Sequence, residues 1–400
     1  VLGYVVGYAV IGLILLPLYY RLNLTSIYTY LEDRFGRYSY KTGASFFLLS
    51  RTIGAAFRLF LVANVLQIIL FDAYGIPFWV TVSVTILLIW LYTFKGGIKT
   101  IVWTDTLQTL FMLIAVGVCI YTISDEMQIT NLFSYVADSE LSKTFFFDDI
   151  NAGNYFWKQF LAGAFIAVVM TGLDQDMMQK NLTCRNLKDA QKNMFWFTIV
   201  LVIVNFFFLA LGVLLTDYAQ QNGIDAHKDK LFPIIATQGS LGLATALFFL
   251  LGLIAAAYSS ADSSLTSLTT SFSIDILEID KKEDEKAQIR IRKKIHVLFS
   301  VLLILIILIF KYFIADESVI ANIFKAAGYT YGPLLGLYAF GLFTKLKVKD
   351  KMVPIICLIA PILTFIISYQ SLYLFSFDFG FFVLVLNGFL TFLGLYLFKK

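Results

Sequence analysis

Unbroken apolar stretches of about twenty residues recur along the whole chain, and they constrain its fold more than any other feature. Eleven segments read as spans: roughly 1–20, 43–70, 76–94, 99–122, 155–179, 190–216, 240–274, 295–315, 319–343, 352–369 and 379–398. A bilayer crossing takes ~20 apolar residues as a helix. The runs are continuous and not alternating, which disfavours an outer-membrane barrel. Hydrophobic residues make up 59% of the 400, and charged residues only 14%, against about 25% charged in an average soluble domain. One soluble core could not hide that much apolar surface. A soluble enzyme, a nucleic-acid binder and a disordered scaffold are therefore disfavoured. The expected fold class is an all-α polytopic membrane protein with about 11 transmembrane helices, forming one domain over 1–400.

The net charge of +4 says less than its distribution. One set of connections holds 23 of the 31 Lys and Arg residues, including Arg21, Arg34, Arg37, Lys41, Lys95, Lys180, Arg185, Lys282, Lys293 and Lys349. The opposite set holds five: Lys143, Lys158, Lys228, Lys230 and Lys311. By the positive-inside rule the first face is cytoplasmic, which puts residue 1 outside and Lys400 inside. The longest outer connection, about 123–154, is acidic and aromatic and has room for a short lid helix. The connection at about 276–294 is densely charged and cytoplasmic. Cys119, Cys184 and Cys357 show no disulfide or zinc spacing, and His227 and His296 sit near segment ends. That argues against a metal-centred enzyme and a histidine relay. The opening Val1-Leu2-Gly3 has no basic leader region, so it is not a signal peptide. It reads as a sequence entered partway through a longer protein.

Ionisable groups inside a span cost ~2.5–3.5 kcal/mol on insertion scales, so they usually face a cavity and mark a pathway. The most informative group is the seventh span, Ala255 to Thr270. There Ser259, Asp262, Ser263 and Thr266 fall on one helical face. Three hydroxyls and a carboxylate are hard donors suited to an alkali or alkaline-earth cation. The plainer alternative is that Ser and Thr ease helix packing in lipid. Asp105, near the cytoplasmic end of the fourth span, is a cation ligand or else a carboxylate paired with a nearby Lys. Arg51 and Arg58 are seven apart and share a face. Arg58 lies ~15 residues into its span, or ~22 Å, near the bilayer midplane. The two either partner a membrane Asp or grip a substrate carboxylate as a fork. In Thr171-Gly172-Leu173-Asp174-Gln175-Asp176, a Gly before polar residues suggests a broken helix lining a cavity, or else an ordinary helix end. In Gly328-Tyr329-Thr330-Tyr331-Gly332-Pro333, the Pro and the glycines suggest a kink, with Tyr329 and Tyr331 placed to line a route or simply to pack.

These segments, in this order, resemble the sodium/solute symporter family of sodium–glucose, sialic acid and proline transporters. The likeness runs over most of the chain. It rests on Ser26 to Gly36, on Gly96-Gly97 ahead of Trp103-Thr104-Asp105, on Asp174-Gln175 with Gln179, and on the Ser259-Ser260 helix. It implies a LeuT-type fold of two inverted repeats forming a single transporter domain, here lacking its first core helix. Carried over, the family's sodium site would use Ala256, Ser259 and Ser260. A second sodium site would use Asp105, Ser259, Asp262 and Ser263, although those members have Ser or Thr where Asp262 stands. Arg58, or second Arg51, resembles the arginine that binds the substrate carboxylate in sialic acid transporters.

The expected function is a sodium-coupled symporter of the inner membrane, not an enzyme, importing a small organic solute. A carboxylate-bearing sugar acid such as sialic acid is the first choice. A neutral sugar, polyol or amino acid, or a proton-coupled variant using Asp262, is the alternative. The substrate contacts expected are Arg58, Arg51, Gln175 and Asp174, with Gly172, Tyr329, Tyr331 and Pro333 at the kinks. One or two Na+ ions, no organic cofactor, a small-molecule substrate, a lipid bilayer, no nucleic acid and a monomer complete the expectation. A sodium-responsive sensor, an ion channel and an intramembrane aspartyl enzyme are the rivals. The absence of a repeated pore loop or charged ring weighs against the channel.

Overall fold

The computed structural model describes residues 1–24, 26–93, 98–226, 228–238, 241–281, 284–313 and 319–400. Lys95, Gly96, Gly97, His227 and Lys282 lie outside the described residues. Sixteen helices carry the description: α1 Leu2–Leu22, α2 Thr29–Arg34, α3 Arg37–Tyr74, α4 Phe78–Thr93, α5 Ile98–Glu126, α6 Leu132–Asp138, α7 Phe156–Gly172, α8 Gln175–Leu182, α9 Leu187–Gln221, α10 Leu231–Gln238, α11 Gly242–Ile276, α12 Glu285–Phe313, α13 Val319–Thr330, α14 Gly332–Phe343, α15 Asp350–Phe375 and α16 Gly380–Leu397. Among the described residues, eight helices are long and apolar enough to cross a bilayer, and nine if α7 and α8 count as one span bent by 65°. Each expected span has a helix over its described residues, but eleven helices of spanning length are not found among them. α4 is described over only 16 residues, and a break near Tyr331 divides the ninth expected span into α13 and α14.

The helices project past the expected apolar boundaries. α3 begins at Arg37, and the charged stretch from Glu285 to Lys294 is the first part of α12, not a loop. Glu, Lys, Arg and Gln are good helix formers, so an apolar span continues into water as long as nothing breaks it. The long connection between α5 and α7 carries α6, whose start is capped by the Asn131 side chain accepting from the Phe133 and Ser134 amides. Large apolar side chains such as Leu13, Leu209, Leu243 and Tyr373 are exposed on the outside of the bundle, the arrangement a lipid solvent favours.

Close helix contact is built on small residues. α1 lies against α7, where a side chain on Gly3 would clash with the Phe160 carbonyl and come within 2.8 Å of the Ala164 nitrogen. A side chain on Gly7 would come within 2.6 Å of Ala167 Cβ. Small faces let helix backbones approach in lipid, where dispersion and not hydrophobicity drives packing. α5 packs along α11, and α3 contacts α11, α12 and α13. The main core runs through Tyr19, Tyr28, Phe47, Leu265 and Phe340, all buried.

The two breaks have identifiable causes. At Pro333 the chain has no N–H to donate to the carbonyl of Tyr329. Asn387 on α16 supplies the donor, at 2.9 Å to Tyr329 O and 3.1 Å to Gly328 O. At the bend between α7 and α8, the Gly172 carbonyl accepts from the Tyr19 hydroxyl at 2.8 Å, and Leu173 O accepts from the Tyr28 hydroxyl at 2.9 Å. Backbone freed inside a membrane protein must find such partners. Gly172 is required there, because a Cβ would sit 2.5 Å from Leu15 Cδ1 and 2.9 Å from Ile11 Cγ1.

Candidate functional site

Part of the set singled out in the sequence, Arg51, Arg58, Ala256, Ser259, Ser260 and Ser263, converges where α3, α5, α8 and α11 meet. A cavity of about 270 Å³ is lined there by Arg51, Arg58, Gln108, Lys180, Ala256, Ser259, Ser260 and Ser263, among others. That is at the lower edge of the size of small-molecule pockets. Three cationic side chains and three hydroxyls on one wall make it polar where lipid-facing surface would be apolar.

Asp105 reaches the cavity edge from α5. Its Oδ1 accepts from Ser259 Oγ at 2.6 Å, and its Oδ2 accepts from Lys180 Nζ at 3.0 Å. Ser263 Oγ, one turn along α11, lies 2.8 Å from both carboxylate oxygens of Asp176. Each of the two hydroxyl protons is therefore directed to a carboxylate, which leaves oxygen lone pairs free. A hydroxyl held this way is a better ligand for a hard cation, because its proton no longer competes for the space in front of the oxygen. Asp262 is buried, and among the described residues its Oδ1 accepts one long hydrogen bond, 3.5 Å, from Thr266 Oγ1. The hydroxyl face anticipated on α11 is thus divided. Ser259 and Ser263 meet the cavity, while Asp262 and Thr266 pair with each other beside it.

The two arginines of α3 have different surroundings. Arg51 is 3% exposed and is clamped by Asp176, with Asp174 Oδ2 at 3.7 Å. Asp174 is held in turn by the Tyr331 hydroxyl at 2.7 Å and by the amides of Asp176 and Met177, for which it is the N-cap of α8. Gln175 is also buried, and its Oε1 accepts from the Ile27 amide at 2.9 Å. Arg51, Asp174 and Gln175 therefore have polar atoms engaged inside the protein, and neither Asp174 nor Gln175 lines the cavity. Arg58 does line it. Its one hydrogen bond among the described residues is from Nη1 to Ser260 Oγ at 3.4 Å. It has no carboxylate partner among the described residues.

The kinks frame this arrangement. Tyr331 stands at the break between α13 and α14 with its hydroxyl on Asp174, so two broken helices meet over Arg51. Tyr329 points elsewhere, its ring 6.2 Å from that of Phe365. Two residues now matter more than the sequence suggested. Asp176 was visible only as part of a polar motif. Lys180 was visible only as one of many cytoplasmic cations. Their i, i+4 spacing on α8 was the available signal, since it puts both on one face.

The family model described as SSF: Sodium:solute symporter family matches residues 1–350. The sodium/sialic acid symporter SiaT of Proteus mirabilis is 26% identical over 374 residues, covering 86% of this chain and 71% of that protein. The sodium/sialic acid symporter NanT of Aliivibrio fischeri is 26% identical over 397 residues, covering 94% and 75%. The human sodium/iodide cotransporter is 28% identical over 196 residues, covering 48% of this chain and 29% of that protein. A solved structure, described as the substrate-bound outward-open state of a Na+-coupled sialic acid symporter, covers 100% of this chain and 84% of its own with a TM-score of 0.81 and 20% identity. That likeness is one of fold, and the fold is the LeuT type.

Proposed function

The chain belongs to the sodium:solute symporter family, and from that premise we propose that it imports a small carboxylate-bearing sugar acid, with sialic acid as first choice, together with one or two sodium ions. It is a multi-pass membrane protein and a sodium-coupled symporter, a transporter and not an enzyme. In this reading it works as a monomer in the cell inner membrane, with Val1 outside and Lys400 in the cytoplasm. The lopsided Lys and Arg distribution supports that orientation.

The observation that carries the substrate class is the contrast between Arg51 and Arg58. Arg51 has two carboxylates around it, so its charge is already compensated. Arg58 lines the cavity with one long bond to a serine. A guanidinium in a membrane protein favours an anion, and a planar carboxylate matches its fork. Sodium is assigned to the α11 wall, where Ser260 also meets Arg58. Ala256, through its carbonyl, and the hydroxyls of Ser259 and Ser260 form one site. Asp105, Ser259 and Ser263 form the second, and Asp262, paired with Thr266 beside the cavity, adds negative charge to it from behind and is not a direct ligand. Sodium drives uptake only if it binds the outward-facing state more tightly, since a ligand moves an equilibrium by its differential affinity alone. At 100 mV each ion adds about 2.3 kcal/mol from the membrane potential.

The test is uptake of radiolabelled N-acetylneuraminic acid into proteoliposomes under an inward sodium gradient. R58Q should abolish uptake, and neutral sugars should not compete. Full uptake by R58Q, or competition by a neutral sugar but not by sialic acid, would sink the carboxylate assignment. Thermal stability of the wild type in NaCl and in KCl, beside D105N and D262N, tests the cation side. A sodium-specific rise that weakens in both variants is expected. Equal stability in the two salts would redirect the argument to proton coupling through Asp262.

A further inference from the structure

We propose that Lys180 is the resident counter-cation of Asp105, and that its ammonium group and the transported sodium ion take turns on that carboxylate. The inference rests on the preceding assignment of sodium to the Asp105 and Ser259 oxygens. It adds a residue that sets how tightly the ion is held and when it leaves.

Asp105 has both oxygens occupied by protein groups. Ser259 Oγ lies 2.6 Å from Oδ1, and Lys180 Nζ lies 3.0 Å from Oδ2. Lys180 lines the same cavity as Ser259 and Ser263. A sodium ion ligated by Asp105 and Ser259 would therefore sit against an ammonium group. Two like charges that close repel strongly where water is scarce. One carboxylate then holds one monovalent cation at a time, and the two compete.

The Lys180 pair is also the one built to open. Its side chains are 27% and 23% exposed, whereas those of Arg51 and Asp176 are 4% and 0% exposed. An ion pair in contact with solvent contributes little net stability, so an arriving ion can displace it. Breaking a buried pair would strand a charge. Lysine suits the exchange for a second reason. Its charge is a compact point on a flexible stem, while an arginine fork is held by its geometry.

The placement of the three groups ties this exchange to movement. Asp105 is on α5 and Ser259 on α11, but Lys180 is on α8, beyond the 65° bend from α7. Asp176, one turn back on α8, is fixed by Arg51 and Ser263, so it is the flexible Lys180 stem that carries the ammonium toward or away from Asp105 without disturbing the Asp105–Ser259 bond. Arrival of Lys180 expels sodium, and its departure opens the carboxylate to the ion. The empty carrier then never exposes a bare carboxylate while it returns.

The experiment measures the sodium concentration that gives half-maximal thermal stabilisation of the purified full chain, with choline chloride holding ionic strength constant. K180M should lower that concentration about five- to 150-fold, the usual span of coupling between two ligands of one protein. K180R, which keeps the charge and holds the carboxylate with a fork, should not lower that concentration below the wild-type value. In the D105N background, K180M should have no further effect. If K180M does not yield folded protein, K180Q is read in its place. A wild type that responds to sodium while K180M and K180Q bind it no more tightly overturns the proposal. A wild type with no sodium-specific response overturns the sodium assignment beneath it, which is a different result in the same assay.

Discussion

Replacing Arg51 by methionine should be among the most damaging single changes in this protein, and the second substitution that repairs it is identifiable. Arg51 is the one cation beside two fully buried carboxylates. At an effective dielectric of about 20, unit charges 4 Å apart attract by about 4 kcal/mol. Asp174 lies 3.7 Å away and Asp176 closer. Part of that attraction is compensated when the arginine goes. Asp174 keeps Tyr331 and two backbone amides, and Asp176 keeps Ser263. The net loss expected is that of a broken buried pair, about 3–5 kcal/mol. The assay is SDS-driven unfolding in mixed micelles. R51M/D176N removes the extra negative charge and should recover at least half of the loss, because the carboxylate left behind still has its three hydrogen bonds. If R51M costs less than about 1 kcal/mol, or if the double variant is less stable than R51M, the reasoning is refuted.

Other outcomes follow from the packing and the breaks. G7V should separate α1 from α7, because its side chain would meet Ala167 Cβ at 2.6 Å. A cost of about 1–3 kcal/mol is expected from overpacking, read as a lower melting temperature in detergent. N387L should strip the donors from the Gly328 and Tyr329 carbonyls and cost about 1–3 kcal/mol for the groups left unsatisfied. A melting curve identical to wild type would mean that those carbonyls find other partners. Glu278 lies just beyond the C-terminal end of α11, where hydrogen bonds from Lys281 and Lys41 hold its carboxyl down at about 2 from the ordinary 4.5. A depressed folded value gives stability above the unfolded one and loses it as pH falls through the folded one. E278Q should therefore be less stable than wild type near neutrality, and the two should converge as pH drops from about 4.5 toward about 2. Circular-dichroism melts across that window check this.

The membrane class and the approximate place of each span were legible because the bilayer imposes a length and a composition that no arrangement of helices can evade. The site was legible in part. Ser259, Asp105 and Arg58 stood out because polar groups in apolar runs are expensive, and the structure brings all three to one cavity region. The division of labour within the site was not legible. Arg51 and Arg58 share a face, a spacing and a chemistry, and nothing in that pattern says which has its charge compensated. The answer depends on the 65° bend that aims Asp174 and Asp176 at one arginine and leaves the other open. Lys180 was hidden for a similar reason, since one lysine among many at the ends of apolar runs carries no mark of the carboxylate it meets.

By itself, then, the sequence determined the solvent of this protein, the all-helical class of its fold and which polar groups lie within apolar runs, because these depend on composition and local periodicity. The tertiary structure alone decided which charges neutralise one another and which remain available, because that depends on distances between helices far apart in the chain. Asp105 and Lys180 are separated by 75 residues, and Arg51 and Asp176 by 125. Coulombic pairing falls off within a few ångströms of side-chain placement, and no repeat of 3.6 residues encodes it.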